Sequence, residues 1–269
     1  MSDHTIWLAL GLTTIAGLST GIGSLMALLS KRANTRFLCA SLGFSAGVML
    51  YVSFMELLPH TVNELVTLFD EKKGKLIMLL SFFGGMGLIA LIDFLISEPN
   101  NPHEMQGVED MKSSNGQGKA LHRTGIFIAL SFTIHNFPEG IATFATAITG
   151  GLSVAIPITF AIAIHNIPEG IAVSVPIYHA TGSRRKAFWM SSLSGLAEPV
   201  GALVAWLFLM PFWSPVINSI VMAAVAGIMV FISLDELLPT AEKYGKHHIS
   251  ISGLIAGMII MALSLFLFI

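Results

Sequence analysis

The chain has 269 residues with 14 Lys+Arg and 16 Asp+Glu, so 11% are charged, against 54% apolar and a mean hydropathy of +0.77. Soluble domains carry about 25% charged residues, and an apolar excess of this size does not fit inside one soluble core that must also cover its own outside. The net charge of −2, with no basic run longer than three, excludes nucleic acid as a partner, and the single Cys39 excludes an intrachain disulfide or a CxxC site.

The composition is that of an integral membrane protein, whose first partner is the lipid bilayer. A helix crosses the hydrocarbon in about 20 apolar residues, and eight stretches qualify: 5–30, 37–59, 76–96, 125–149, 152–179, 187–210, 216–239 and 249–269. The fold class is therefore an all-α membrane protein of eight transmembrane helices in one transporter-sized domain, 1–269. The first stretch is too long for a signal peptide, and its head, Met1 to His4, has no Lys or Arg, so it reads as a retained span.

Basic residues mark the cytoplasmic side. Loop 1–2 holds Lys31, Arg32 and Arg36, and loop 3–4 holds Lys112, Lys119 and Arg123. Loop 5–6 holds Arg184, Arg185 and Lys186, and loop 7–8 holds Lys243 and Lys246. Loop 2–3 has the remaining three, Lys72, Lys73 and Lys75, diluted by Asp70 and Glu71, and the termini have none. The odd loops are inside and both termini outside. The long connection 97–124, rich in Asn, Gly, Ser and acids, reads as a mobile cytoplasmic loop. His103 and Glu104 in it offer loose metal contacts, although composition favours a solvated linker.

All the basic residues are used in loops, yet Glu56, Asp93, Glu139, Glu169, Glu198, Asp235 and Glu236 fall within spans. A buried carboxylate costs several kcal/mol unless it is paired, protonated or facing water. With no intramembrane Lys or Arg, a bound cation is the natural counter-charge. At 1.5 Å per residue, Glu139 lies about 21 Å into a span of about 37 Å, and Glu198 about 17 Å into one of about 36 Å. Glu169 is also mid-helix. Glu56, Asp93, Asp235 and Glu236 lie nearer helix ends, within reach of snorkelling or capping.

Span 4 reads HNFPEGIAT from His135, and span 5 reads HNIPEGIAV from His165. His135 and Glu139 are four apart and share a helix face, as do His165 and Glu169. Asn136 and Asn166 stand one step round. Pro138 and Pro168 remove the backbone bonds to the carbonyls of Ile134 and Ile164, and Gly140 and Gly170 permit close approach or a bend. Imidazole, amide and carboxylate together suit Zn, Fe, Mn or Ni better than Ca or Mg. A lone His–x₃–Glu pair is ordinarily just an i,i+4 contact. Two copies mid-membrane, with a third acid in SGLAEP (Ser194 to Pro199), point instead to a metal site. Three ionised glutamates around one dication leave a net −1, so either one glutamate stays protonated or a second ion shares the site, bridged by Glu139 and Glu169.

A second repeat joins AGVMLYVSFMELLPHT (Ala46 to Thr61) in span 2 to AGIMVFISLDELLPTA (Ala226 to Ala241) in span 7. The two are five spans apart and so run in opposite directions. Spans 1–3 and 6–8 then form an inverted repeat around a 4–5 hairpin, with a midplane ion site, which is the sequence mark of a secondary transporter. Glu56 lies towards the outside and Asp235 and Glu236 towards the cytoplasm; they read either as ligands on the way in and out or as ordinary helix-end acids. GxxxG at Gly17/Gly21, Gly43/Gly47 and Gly253/Gly257 marks close helix packing and is compatible with a homodimer without establishing one. The fourteen Met read as filler, and His179, His247 and His248 as solvated.

HNFPEG, HNIPEG, SGLAEP and the ELLP spans resemble the ZIP (Zrt/Irt-like) metal transporter family over essentially the whole chain. The resemblance implies eight helices with outward termini in the cell inner (plasma) membrane. It also implies import of divalent metal through a binuclear midplane site, with Zn2+ preferred and Fe2+, Mn2+ or Co2+ accepted. The metal is then substrate, and no cofactor is implied. Carried onto this chain, one ion takes His135, Glu139, His165 and Glu169, and the other takes Asn136, Asn166 and Glu198 with the bridging carboxylates. Here the second motif opens His165–Asn166, less anionic than a form with Asp, and the long loop lacks the His-rich run of many relatives.

Ligands must be deprotonated to bind, so uptake is expected to slow as external pH falls towards the imidazole range near 6.5. Among the rivals, an intramembrane zinc enzyme lacks HExxH and a general base outside the metal shell. A channel needs a continuous polar path, and a metal sensor needs a signalling domain.

Overall fold

A backbone in hydrocarbon must bond to itself, and helices do this within one segment. In the computed structural model the described residues are 3–29, 35–96, 117–244 and 247–268, and their regular structure is helical throughout. Helix α1 (Asp3–Leu29) is followed by α2 (Thr35–Val52), which passes through a π-helical turn (Ser53–Leu57) into α3 (Leu58–Leu68). Next come α4 (Glu71–Ile96), α5 (Gln117–Thr149) and α6 (Leu152–Thr181). Helices α7 (Arg184–Gly195) and α8 (Ala197–Val204) form one rod broken at Leu196. A second π-helical turn (Ala205–Leu209) follows α8; helix α9 (Pro215–Ile232) runs through a third (Ser233–Leu237) into α10 (Leu238–Tyr244), and α11 (His247–Phe268) ends the fold.

Among the described residues these make eight rods, and the described parts of seven are long and apolar enough to cross a membrane. The exception is α5, expected as a full span from its length; His135, Asn136, Glu139 and the threonines at 133, 143, 146 and 149 lower the hydropathy of its described part. Other boundaries shift for local reasons. The second rod continues past ELLP to Leu68, because a proline is tolerated in a first turn. Residues 117–124, assigned to the long loop, open α5, whereas 97–116, with His103 and Glu104, lie outside the described residues.

Sharp turns have identifiable causes. Gly151 (φ 71) joins α5 to α6, and Gly182 (φ 64) caps α6; only glycine adopts that conformation freely. Ser183 and Ser214 then cap α7 and α9, each accepting a backbone N–H, from Lys186 (3.3 Å) and Ile217 (3.2 Å).

Burial separates an inner from an outer set of helices. The α4 and α11 windows are only 17% and 28% buried, against 72% for α6 and 67% for α9, so the first two face lipid. Among the pairings, α1 packs on α6, α5 on α7 and α8, α2 on α11, and α4 on α9. Lipid gives no hydrophobic drive between helices, so small residues that let backbones meet hold them together. A Cβ on Gly170 would overlap the Thr20 carbonyl, and one on Gly140 the Glu198 carbonyl. The GxxxG pairs are spent in the same way within the chain: Gly17 meets Gly195, Gly43 and Gly47 meet α11, and Gly253 and Gly257 meet α2. They therefore offer no free face for a second copy.

Candidate metal site

The site lies where α5, α6 and α8 meet. His135, Asn136, Glu139, His165, Asn166, Glu169 and Glu198 are each no more than 2% exposed. No Lys or Arg is buried among the described residues, so the missing counter-cation expected from the sequence is a property of the folded chain.

Antiparallel pairing sets the order of the side chains. Counting away from the Gly150–Gly151 turn, Glu139 comes first, then His165, His135 and Glu169. Each histidine thus meets the glutamate of the other helix rather than its own i+4 partner. His135 Nε2 is 3.2 Å from Glu169 Oε1, and His165 Nε2 is 3.3 Å from Glu139 Oε2. The crossed pairs tie α5 to α6 twice over.

The asparagines tie this hairpin to its neighbours. Asn136 Nδ2 donates to the Ser194 carbonyl (3.2 Å), just before the break at Leu196. Asn166 Nδ2 donates to the Ala16 carbonyl of α1 (3.0 Å) and to Glu198 Oε1. Glu198 opens α8 directly after that break, and α5 passes close above it because residue 140 is glycine.

What the site leaves unpaired is chemically specific. The Oδ1 atoms of Asn136 and Asn166, Glu139 Oε1, Glu169 Oε2, Glu198 Oε2 and the Nδ1 atoms of both histidines are buried without a hydrogen-bond partner. Buried polar atoms almost always find partners, and here five of the orphans are oxygens, the kind of atom that receives a cation. Among the described residues, however, no three His, Cys, Asp or Glu side chains are gathered around one point. Both imidazoles spend Nε2 on a glutamate and keep Nδ1 without a partner.

Some contributors carry no sequence signal. Ser45 Oγ on α2 donates to the His165 carbonyl (3.3 Å), and Ser191 Oγ donates to the Gly170 carbonyl (3.1 Å). A single serine among apolar residues, like the Ala16 carbonyl, has no pattern to betray it. Glu236 also departs from the helix-end explanation: it is 1% exposed within the Ser233–Leu237 π-helical turn, while its neighbour Asp235 is exposed. His247 and His248 are exposed as expected, and the side chain of His179 is outside the described set.

The family described as ZIP Zinc transporter matches residues 95–265. The zinc transporter ZupT of Streptococcus mutans is 56% identical over 269 residues, covering 100% of both chains. That of Clostridium perfringens is 54% identical over 279 residues, covering 99% of this chain and 98% of the relative, and that of Lysinibacillus sphaericus is 55% identical over 267 residues. The chain belongs to the ZIP family. As a ZIP protein it is a multi-pass membrane transporter, and the rival reading of an intramembrane enzyme falls. Of the motifs that carried the resemblance, HNFPEG, HNIPEG, SGLAEP and the ELLP of span 7 lie inside the matched stretch of this ZIP chain, and the ELLP of span 2 precedes it.

Proposed function

We propose that this chain is a secondary transporter importing Zn2+, with Fe2+, Mn2+ or Co2+ as lesser substrates, through a binuclear site at mid-depth between α5, α6 and α8. The observation that carries the reading is the crossed His–Glu arrangement with its five orphan oxygens and no buried Lys or Arg among the described residues. The relatives' identity as zinc transporters supports zinc as the substrate.

In this reading the ion enters as a partner that the glutamates lack. His135 and His165 release their hydrogen bonds and turn Nε2 to the metal, while Glu139 and Glu169, already facing each other's helices, bridge two ions. Asn136 and Asn166 keep Nδ2 on the Ser194 and Ala16 carbonyls and offer Oδ1 to the second ion together with Glu198. Imidazole and carboxylate donors favour zinc-like ions over Ca2+ or Mg2+.

Eight spans in an inverted repeat, with both termini outside, complete the proposal. Exchanging spans 1 with 6, 2 with 7, 3 with 8 and 4 with 5 turns each major helix contact into another: α1–α6 becomes α5 with α7 and α8, and α2–α11 becomes α4–α9. Gly17 and Gly195 face each other's carbonyls on that pseudo-axis, and two of the three π-helical turns among the described residues fall on the matching SFMEL and SLDEL. Pseudo-symmetry of this kind supports alternating access, with α5 and α6 moving the ion past a more static frame.

The test is radioactive zinc uptake into liposomes holding the purified protein, beside the Glu139→Ala variant and empty liposomes. Saturable uptake lost in the variant supports the reading. Binding without uptake, in protein shown to be folded, overturns it.

A further inference from the structure

A second set of metal-binding side chains stands apart from the central site. One cavity is lined by Glu56 of the first π-helical turn, His60 of α3, Thr146 and Thr149 of α5 and Asn218 of α9. Glu56 and His60 are four residues apart on one continuous helix face. Asn218 is 4% exposed, and its Oδ1 has no hydrogen-bond partner. An unpaired, buried amide oxygen at the edge of a cavity holding a carboxylate and an imidazole repeats the donor chemistry of the central site.

Neighbouring charges leave this cavity anionic. Glu64, one turn beyond His60, accepts a hydrogen bond from Ser219 Oγ at 2.5 Å. Of the three lysines after α3, Lys73 pairs with Asp70 at 3.3 Å and Lys75 with Glu71 at 2.7 Å.

The cavity also lies against the helix that carries Glu139. Residues 139, 143, 146 and 150 share one face of α5, and Gly150 is about 16 Å along the axis from Glu139. Thr143 donates to the Glu139 carbonyl at 2.9 Å, which leaves its hydroxyl oxygen as an acceptor on that face. The arrangement has no twin in the second half, because Thr240 occupies the position matching His60, and Glu236, matching Glu56, is closed from solvent.

We propose that Glu56, His60 and the Asn218 amide oxygen form a separate binding site for a divalent transition-metal ion at the outer mouth, which captures the ion before it passes along α5 to Glu139. This rests on the transport reading above, and the test separates the two. Zinc uptake kinetics and zinc equilibrium dialysis are measured on the full chain and on Glu56→Gln, His60→Ala, Asn218→Asp and Glu139→Ala. Loss of either outer ligand is expected to raise KM about tenfold, to leave Vmax intact, and to remove one zinc equivalent that Glu139→Ala retains. Asn218→Asp, which adds a carboxylate of the same shape, is expected to lower KM, and it decides the matter if a loss variant fails to fold. Parental KM and stoichiometry in the outer variants, with Glu139→Ala inactive, overturn the capture site and leave the central one standing. Continued transport by Glu139→Ala overturns the central path instead.

Discussion

Gly140 offers a direct test of how the site is assembled. A Cβ there would lie 2.6 Å from both the carbonyl carbon and the Cα of Glu198. Non-bonded carbons settle at about 3.5–4.0 Å, so α5 and α8 must part by about 1 Å in Gly140→Ala. The obstacle is backbone, which has no rotamer to escape into, and the strain is about 1–3 kcal/mol. Function should suffer more than stability. Metal–ligand distances tolerate about 0.2 Å, and a displacement five times larger separates Glu139 from Glu198, for a loss on the order of a hundredfold in zinc uptake efficiency. The assay is initial zinc uptake in proteoliposomes over a range of zinc concentrations, with thermal melting of the same preparations. Gly84→Ala is the control, since no atom lies within 4 Å of its Cβ position, and it should transport like the parent. A Gly140→Ala protein with parental KM and Vmax would refute the claim that this helix contact sets the ligand geometry.

Three further outcomes follow from the same geometry. Glu139→Ala should abolish uptake while the protein still elutes as a single folded species, because it removes a carboxylate and frees His165; retained uptake would move the path elsewhere. Uptake should slow as external pH falls from neutral towards about 6, since imidazole and carboxylate bind metal only when deprotonated, and a flat profile in a proteoliposome titration would contradict this. Millimolar Ca2+ or Mg2+ should leave zinc uptake unchanged, as these ions prefer all-oxygen shells; competition by either would point to a site without the histidines.

The rods were legible because apolar length is written directly in sequence, and the seven central residues because two copies of HNxPEG and a third acid have no cheap explanation in hydrocarbon. What sequence could not supply was register. His135 and Glu139 share a face, which suggested that they act together, but antiparallel packing gives His135 to Glu169 and Glu139 to His165. Backbone contributors such as the Ala16 and Ser194 carbonyls are invisible by nature. The π-helical turns escaped as well, since an extra residue in a turn leaves apolar periodicity nearly unchanged over so short a stretch, yet one of them carries Glu236 into the interior. The outer cavity was missed because His60 lies past the expected end of span 2, and Asn218 at the start of span 7 looked like a helix-end residue.

The number of ions in the central site is fixed by charge as much as by ligands. Glu139, Glu169 and Glu198 bring three carboxylates into a region with no buried Lys or Arg. One dication leaves −1 in low dielectric, where an unpaired charge costs several kcal/mol. Two dications leave +1 shared over two ions, the carboxylates and four neutral donors, His135, His165, Asn136 and Asn166, each with an atom that lacks a partner. The second arrangement also uses all five unpartnered oxygens of the central site, whereas a single ion strands the Asn166 and Glu198 group beside it. Two zinc ions per chain are therefore expected when the outer cavity is silenced by His60→Ala, read by metal analysis of dialysed protein at saturating zinc. Glu198→Gln should lower that number to one, because it removes the only carboxylate reserved to the second ion. A count of one before the Glu198 change would show that a proton, and not a second metal, balances the third glutamate.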